Sequence, residues 1–310
     1  MERQLSDEKN GETSMEKDSS GATSPGGLES KKPTRTKTGV IIGVVALAFV
    51  VFAICIYKFV VVPHNQAADA FNAAAAQVEE KNAELQSKID TAQSYIDSGD
   101  KPLDVSTQDA LTLAVADARQ SLREVPDLPS STDEINAAAD ELGKPLDYSS
   151  QAKALDDAAA AFETSVQQLK QITAPSQDFV VSRLGQVKGI SDIEAVSEDN
   201  DPNGLLNKQG GYTAAIYFHY DALPDSYSIY AGKTSIENGN DGGGCVEVYP
   251  DEETANKRND YLSAFDGAGF LSPGGHVVYG SCLIRTSNEI TATQQNELTS
   301  SIQSALTAIQ

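Results

Sequence analysis

The 310-residue chain contains no tryptophan, two methionines, three histidines and three cysteines. Three cysteines cannot build a zinc-ribbon array or a dense disulfide framework. Three well-separated histidines cannot supply a His-rich metal centre, and none has an H-E-x-x-H spacing. Basic residues are scarce as well: 23 Lys and Arg stand against 45 Asp and Glu, a formal net charge of −22. A polyphosphate backbone attracts basic surfaces, so this balance excludes nucleic acid as a partner.

What is present begins with one long apolar run. The 20 residues Thr38–Tyr57 carry no charge. At helical rise they reach about 30 Å, the thickness of a bilayer's hydrocarbon core. Lys58 interrupts the run and can snorkel to the interface, Phe59 to Val62 extend it, and Pro63 is expected to end it. A buried core helix is seldom apolar on every face for so long. The run is also longer than a signal-peptide h-region, which predicts an uncleaved transmembrane helix over 38–62. Lys31, Lys32, Arg35 and Lys37 precede the span and Lys58 stands alone after it. The positive-inside rule then predicts a single-pass cell-membrane protein with a cytoplasmic N-terminus and an extracellular C-terminus. Residues 1–37 are rich in Ser, Thr, Gly, Glu and Lys, too polar to offset ordering entropy, and are expected to be a disordered cytoplasmic tail. The acidity lies beyond the span: residues 63–310 hold 15 basic and 38 acidic residues.

Residues 66–173 read as an elongated helical bundle, a stalk. Phe71, Ala75, Val78, Asn82, Leu85, Ile89, Ala92 and Ile96 alternate steps of four and three, an a/d seam. Ser106, with Asp109, is the expected cap of the next helix, whose stripe is Leu111, Val115, Ala118 and Leu122. Ser131 and Glu134 form a capping box for a short helix ended by Gly143. Asp147 can cap the last helix, with Leu155, Ala159, Phe162, Val166 and Leu169 on one stripe. Short breaks favour antiparallel neighbours within the chain, and an intermolecular coiled coil through the first helix is the rival; Asn82 could set register in either.

From about Pro175 the composition shifts toward Gly, Tyr and β-branched residues, and 175–310 is expected to be a small α+β domain. Phe179–Val187 reads as a helix and Ile190–Val196 as a short strand. Tyr212–Tyr220 is the clearest strand, with Ala214, Ile216, Phe218 and Tyr220 on one face and Ala215, Tyr217 and His219 on the other. Tyr227–Ala231, Cys245–Tyr249 and His276–Thr286 are further strand candidates. Asp251 caps a helix through Phe265, and Thr291 with Gln294 forms a capping box for the last helix. Without regular βαβ alternation, a mainly antiparallel sheet with helices on one face is expected. The acidic, Gly-rich stretch from Glu237 to Gly244 lacks a phosphate-binding pattern and reads as a flexible connection.

Few residues suggest chemistry. Asp199, Asp201, Asn203 and Gly204 spell D-x-D-x-N-G, the opening of a calcium loop, in which alternate oxygen ligands converge on a hard cation. The twelfth position, however, is Gly210 rather than a bidentate Glu, and Asp, Asn, Pro and Gly are also standard turn residues. Cys245 and Cys282 both lie outside the span, where a non-reducing compartment favours a disulfide, while strand alternation opposes it. Cys282 and His276, on one strand, would lie too far apart to act as nucleophile and base. No catalytic residue, cofactor or committed metal site emerges, and the chain is expected not to be an enzyme.

Two resemblances add to this. "LQSKIDTAQSYI", "LDVSTQDALTLAVADARQSL" and "ALDDAAAAFETSVQQL" make 85–169 similar to the three-helix FIVAR-type modules of Gram-positive surface proteins, which implies a non-catalytic spacer. "VKGISDIEAVSEDNDPNGLLNKQGGYTAAIYF", "KRNDYLSAFDG" and "IRTSNEITATQQNEL" make 175–310 resemble a domain of uncharacterised membrane-anchored proteins of bifidobacteria and related actinobacteria. That implies an envelope location and transfers no functional residue. The expected function is a non-catalytic envelope protein whose spacer presents an α+β head for binding or structure. The alternative is a transmembrane sensor or accessory subunit. The expected partners are the membrane, integrally, and a cell-envelope protein or polymer.

Overall fold

A computed structural model describes residues 37–224, 233–269 and 272–309, with side chains from residue 44 onward. The expected tail and the strand candidate Tyr227–Ala231 lie outside the described residues. The fold is α+β, with one long apolar helix and a five-stranded antiparallel sheet. The chain divides into two compact units, one ending at Pro63 and the other running from His64 to Gln310.

The first unit is helix α1 (Lys37–Ile56) followed by a π-helical turn, Tyr57–Val61. Its large apolar side chains face outward on every side, Phe49 at 69% and Phe59 at 79% exposure. The expectation that Pro63 stops the helix is corrected: Pro63 is the second residue of α2 (Val62–Asp97). In an ordinary α-helix the proline ring would clash with the carbonyl four residues back. Here the preceding turn is wider, with the Val62 N–H donating to Tyr57 five residues back.

In the second unit, α2 packs with α3 (Val105–Ser121), α4 (Thr132–Leu142) and α5 (Ser149–Gln171). The α2 seam divides between two clusters. Phe71, Ala75 and Val78 pack with Ile135 and Leu142 of α4, and Leu85, Ile89 and Ala92 pack with Leu111 and Val115 of α3 and Phe162 of α5. Asn82 falls between them. Its side-chain amide donates to the Arg123 carbonyl (2.7 Å) and its oxygen accepts from the Tyr148 hydroxyl (2.6 Å). This seam is thus covered from within the chain. The cap of α3 is Asp104, which accepts from the Ser106 N–H, rather than Ser106 itself. Ser131 caps α4 as expected.

The sheet runs β1 (Ile190–Ala195), β2 (Ala214–Tyr220), β3 (Gly243–Val248), β5 (Cys282–Thr286), β4 (Gly275–Tyr279). His276–Thr286 is therefore not one strand but a hairpin, turning at Gly280 and Ser281, with His276 opposite Arg285. Helices cover both faces, not one. On one face α6 (Gln177–Leu184) and α9 (Ala292–Thr307) enclose Ile216, Phe218, Val246, Cys282 and Ile284. On the other, α8 (Glu252–Ser263) and the 196–212 loop enclose Tyr212, Tyr217, Cys245, Tyr249 and Leu283. The reason is in the strands: Ala214 to Phe218 and all of β3 and β5 are buried, and a strand apolar on both faces must be covered on both.

Residues 66–173 and 175–310 meet closely. Ile172, just past α5, is fully buried in the α6/α9-side core of the sheet. Gln168 and Gln171 donate to the carbonyls of Thr307 and Leu306 at the end of α9.

Candidate functional site

The D-x-D-x-N-G stretch forms a hydrogen-bonded turn rather than an open cation cradle. Asp201 is its hub: its carboxylate accepts from the backbone N–H of Asn203 (3.0 Å) and Leu206 (2.7 Å) and from the Tyr212 hydroxyl. Burial pushes the Asp201 carboxyl up, but these bonds outweigh it and hold its pKa below the ordinary value. The Asn203 amide donates to the hydroxyls of Tyr212 and Tyr217 (both 3.3 Å). Asp199 is exposed on the loop. Oxygens already spent on internal donors leave little for a cation. Among the described residues, no group of three or more His, Cys, Asp and Glu side chains could hold a metal ion.

The sequence left a Cys245–Cys282 disulfide open, and the structure does not form it. Cys245 and Cys282 are free thiols buried on opposite faces of the sheet. Cys282 pairs in register with Val248, three positions along β3 from Cys245. Burial raises both thiol pKa values, that of Cys282 to about 12. His276 lies on the face opposite Cys282, with its ring nitrogens 2.7 Å from the Asn259 side-chain oxygen and 3.1 Å from the Asp266 carboxylate.

The unexpected chemistry lies beneath α8. Glu247, the penultimate residue of β3, the middle strand of the sheet, is 0% exposed. Its Oε1 accepts from Arg285 Nη1 (3.0 Å), and its Oε2 accepts from the Tyr249 hydroxyl (2.7 Å) and Arg258 Nε (3.3 Å). Glu247 and Arg285 sit diagonally on one face of β3 and β5, close enough for long side chains to meet. A buried carboxylate is tolerable only when paired and hydrogen-bonded, as here. The sequence did carry a signal: a single acidic and a single basic residue, each at an inward position of an otherwise apolar strand ("CVEVY", "CLIRT").

Arg285 also lines a cleft of about 410 Å³ together with Asn238, Asn240, Asp241, Tyr261 and Phe265. The Gly-rich stretch expected to be a flexible connection forms one wall, and that expectation is corrected. Thr234 and Glu237 make a capping box for the short helix α7 (Ser235–Asn238), and Gly239–Gly242 form a 3-10 turn. Asn240 ties this turn down, donating to the carbonyls of Pro273 (2.9 Å) and Thr286 (3.1 Å). The glycines serve close packing: a Cβ on Gly244 would lie 2.4 Å from the Phe218 ring. The opposite wall is aromatic, with the Tyr261 and Phe265 rings edge to face at 5.3 Å. The Arg258 guanidinium lies 5.4 Å from the Tyr261 ring centre. Burial pushes the Asp241 carboxyl up, against the pull of Arg285.

Comparison of the chain with family models, curated proteins and solved structures finds no match.

Proposed function

We propose that this chain is a single-pass envelope protein. In this reading residues 38–62 cross the membrane with the N-terminus in the cytoplasm. The helices of 66–173 form an extracellular stalk. The sheet domain, 175–310, is a non-catalytic head for binding or structure, as in the actinobacterial membrane-anchored proteins it resembles.

The observation that carries the reading is the outward-facing apolar surface from Val44 to Val61, none of which is buried inside the protein. Hydrocarbon is the solvent that matches such a surface. Support for a non-catalytic head comes from the polar groups that would otherwise be candidates for chemistry. The Ser281 hydroxyl donates to the Ile172 carbonyl and accepts from the Ala174 N–H, and both head thiols are buried.

Topology is tested by labelling. Cys245 and Cys282 are buried and Cys55 lies in the apolar run, so Asp157→Cys, on the exposed side of α5, adds one accessible thiol. A membrane-impermeant maleimide added to intact cells is expected to label it. Labelling only after lysis would overturn the reading.

A further inference from the structure

We propose that the cleft between α8 and the Asn238–Asp241 turn is a binding site for a neutral pyranose sugar. The proposal rests on the reading of the sheet domain as a binding head, and not on which side of a membrane it lies.

Three observations lead there. The first is unmet hydrogen-bonding capacity. Among the described residues, five buried side-chain nitrogen or oxygen atoms lack a partner, and three of them belong to residues that line this cleft: Asn238 Oδ1, Asn240 Oδ1 and Arg285 Nε. The orientation of the Asn240 amide is fixed, because its nitrogen already donates to two carbonyls. Arg285 is only 9% exposed and comes from the central part of the sheet, so it forms the cleft's floor. Leaving such groups unpaired is costly, and a ligand that pairs them gains accordingly.

The second is charge. Arg285 and Arg258 both pair with Glu247, and Asp241 supplies the remaining negative charge beside Arg285. The four charges cancel. The cleft as a whole therefore carries no net charge that would favour an ion of either sign. What is offered is two amide oxygens, a carboxyl and one N–H, an acceptor-rich set that suits a ligand with several hydroxyl donors.

The third is shape. Tyr261 is 57% exposed and its ring borders the cleft. The C–H face of a pyranose is weakly positive and packs on the negative face of an aromatic ring. The volume is within the usual range for small-ligand sites, about 300–1,000 Å³. A sugar carrying an acetamido group suits the floor best, since its N–H can meet an Asn oxygen and its carbonyl can meet Arg285 Nε.

The test uses the full chain in lipid nanodiscs, because glycoside detergents would compete. Calorimetric titration with N,N′-diacetylchitobiose is expected to show saturable binding. Tyr261→Ala should weaken it by about tenfold, with only a small fall in melting temperature from the lost ring contact with Phe265. Cellobiose, without acetamido groups, should bind more weakly but in the same Tyr261-dependent way. The proposal is overturned if neither disaccharide binds at about 10 mM, or if binding ignores Tyr261→Ala. It is also overturned if spermidine binds in preference and is lost in Asp241→Asn, which would make this a cation site. A head that binds the sugar while Asp157→Cys labels only in lysed cells would separate this proposal from the topology reading.

Discussion

The backbone N–H of Ser281 donates to the carbonyl of Ile172 at 2.9 Å, tying the turn of the β4–β5 hairpin to the end of α5. The turn glycine makes this approach possible. Gly280 has φ +61°, and a Cβ there would meet the Ile172 carbonyl oxygen and Cγ1 at 2.6 Å. Gly280→Ala therefore both strains the turn and pushes Ile172 out of the sheet core. An expected loss of about 2–4 kcal/mol follows from combining backbone strain with overpacking. Urea unfolding of the variant against the parent would measure it. A loss below about 0.5 kcal/mol would mean that the junction is loosely packed.

The same junction makes the helical part and the sheet one cooperative body. Ile172 is shared by both, and the α5–α9 contacts are hydrogen-bonded as well as apolar. Far-UV circular dichroism follows mainly the helices, and near-UV tyrosine signals follow mainly the sheet domain. Their thermal transitions should coincide, as two-state unfolding requires. Separated midpoints would show that residues 66–173 and 175–310 melt independently.

Glu247 makes three charge-assisted or hydroxyl hydrogen bonds in a site closed to water. Removing it leaves two guanidinium groups facing a carboxylate that is gone. Glu247→Ala is expected to destabilise by about 3–5 kcal/mol, the usual consequence of breaking a buried ion pair from one side. Lys153→Ala breaks an exposed pair with Asp157 on α5 and should change stability by less than about 0.5 kcal/mol. Comparable effects of the two substitutions would contradict the burial of Glu247.

How much of this could be read beforehand differs by the range of the interaction. Ser131, Asp251 and Thr291 were legible as helix caps because capping is decided within four residues. The α2 seam was legible because periodicity is local too. The hairpin is harder to read: Gly280-Ser281 is a two-residue turn signal, but the apolar residues on either side also fit one continuous strand. On one continuous strand His276 and Cys282, six residues apart, would share a face; the hairpin puts them on opposite faces. Helices on both faces are implied by the two apolar faces of Tyr212–Tyr220, whereas the lack of βαβ alternation points to helices on one face. The cleft was invisible for a different reason. Asn238, Tyr261 and Arg285 are joined only by the sheet register and the packing of α8, which no spacing in the chain records.

Asp201 gives a pH dependence with a definite sign. Its folded-state pKa is lowered, chiefly by the Tyr212 hydroxyl and the backbone N–H of Leu206 once the opposing effect of burial is overcome. A depressed carboxyl contributes stability that is fully present above its unfolded pKa, about 3.9, and is lost as pH falls through the folded value. Asp201→Asn should therefore cost about 1–3 kcal/mol at neutral pH, and the gap to the parent should start to narrow below about pH 4 and close as pH falls through the lower folded value, where the parent carboxyl also becomes neutral. Chemical denaturation across the acid range measures this. A gap that stays constant with pH would mean that the Asp201 turn is held by shape alone.

The two head thiols offer a test of burial that needs no substitution. Cys245 and Cys282 are fully enclosed, one on each face of the sheet, and burial raises the pKa of both, so little reactive thiolate is present near neutral pH. Pulsed alkylation followed by peptide mass spectrometry should find both unmodified in the native protein and both modified in denaturant, under reducing or non-reducing conditions alike. Because they sit in different cores, a partial opening that frees α8 should expose Cys245 before Cys282, while one that frees α9 should do the reverse. Recovery of a Cys245–Cys282 cross-linked peptide without reductant would refute the opposite-face arrangement. Simultaneous modification at every denaturant concentration would instead mean that the two cores open only together, with the sheet as the shared wall.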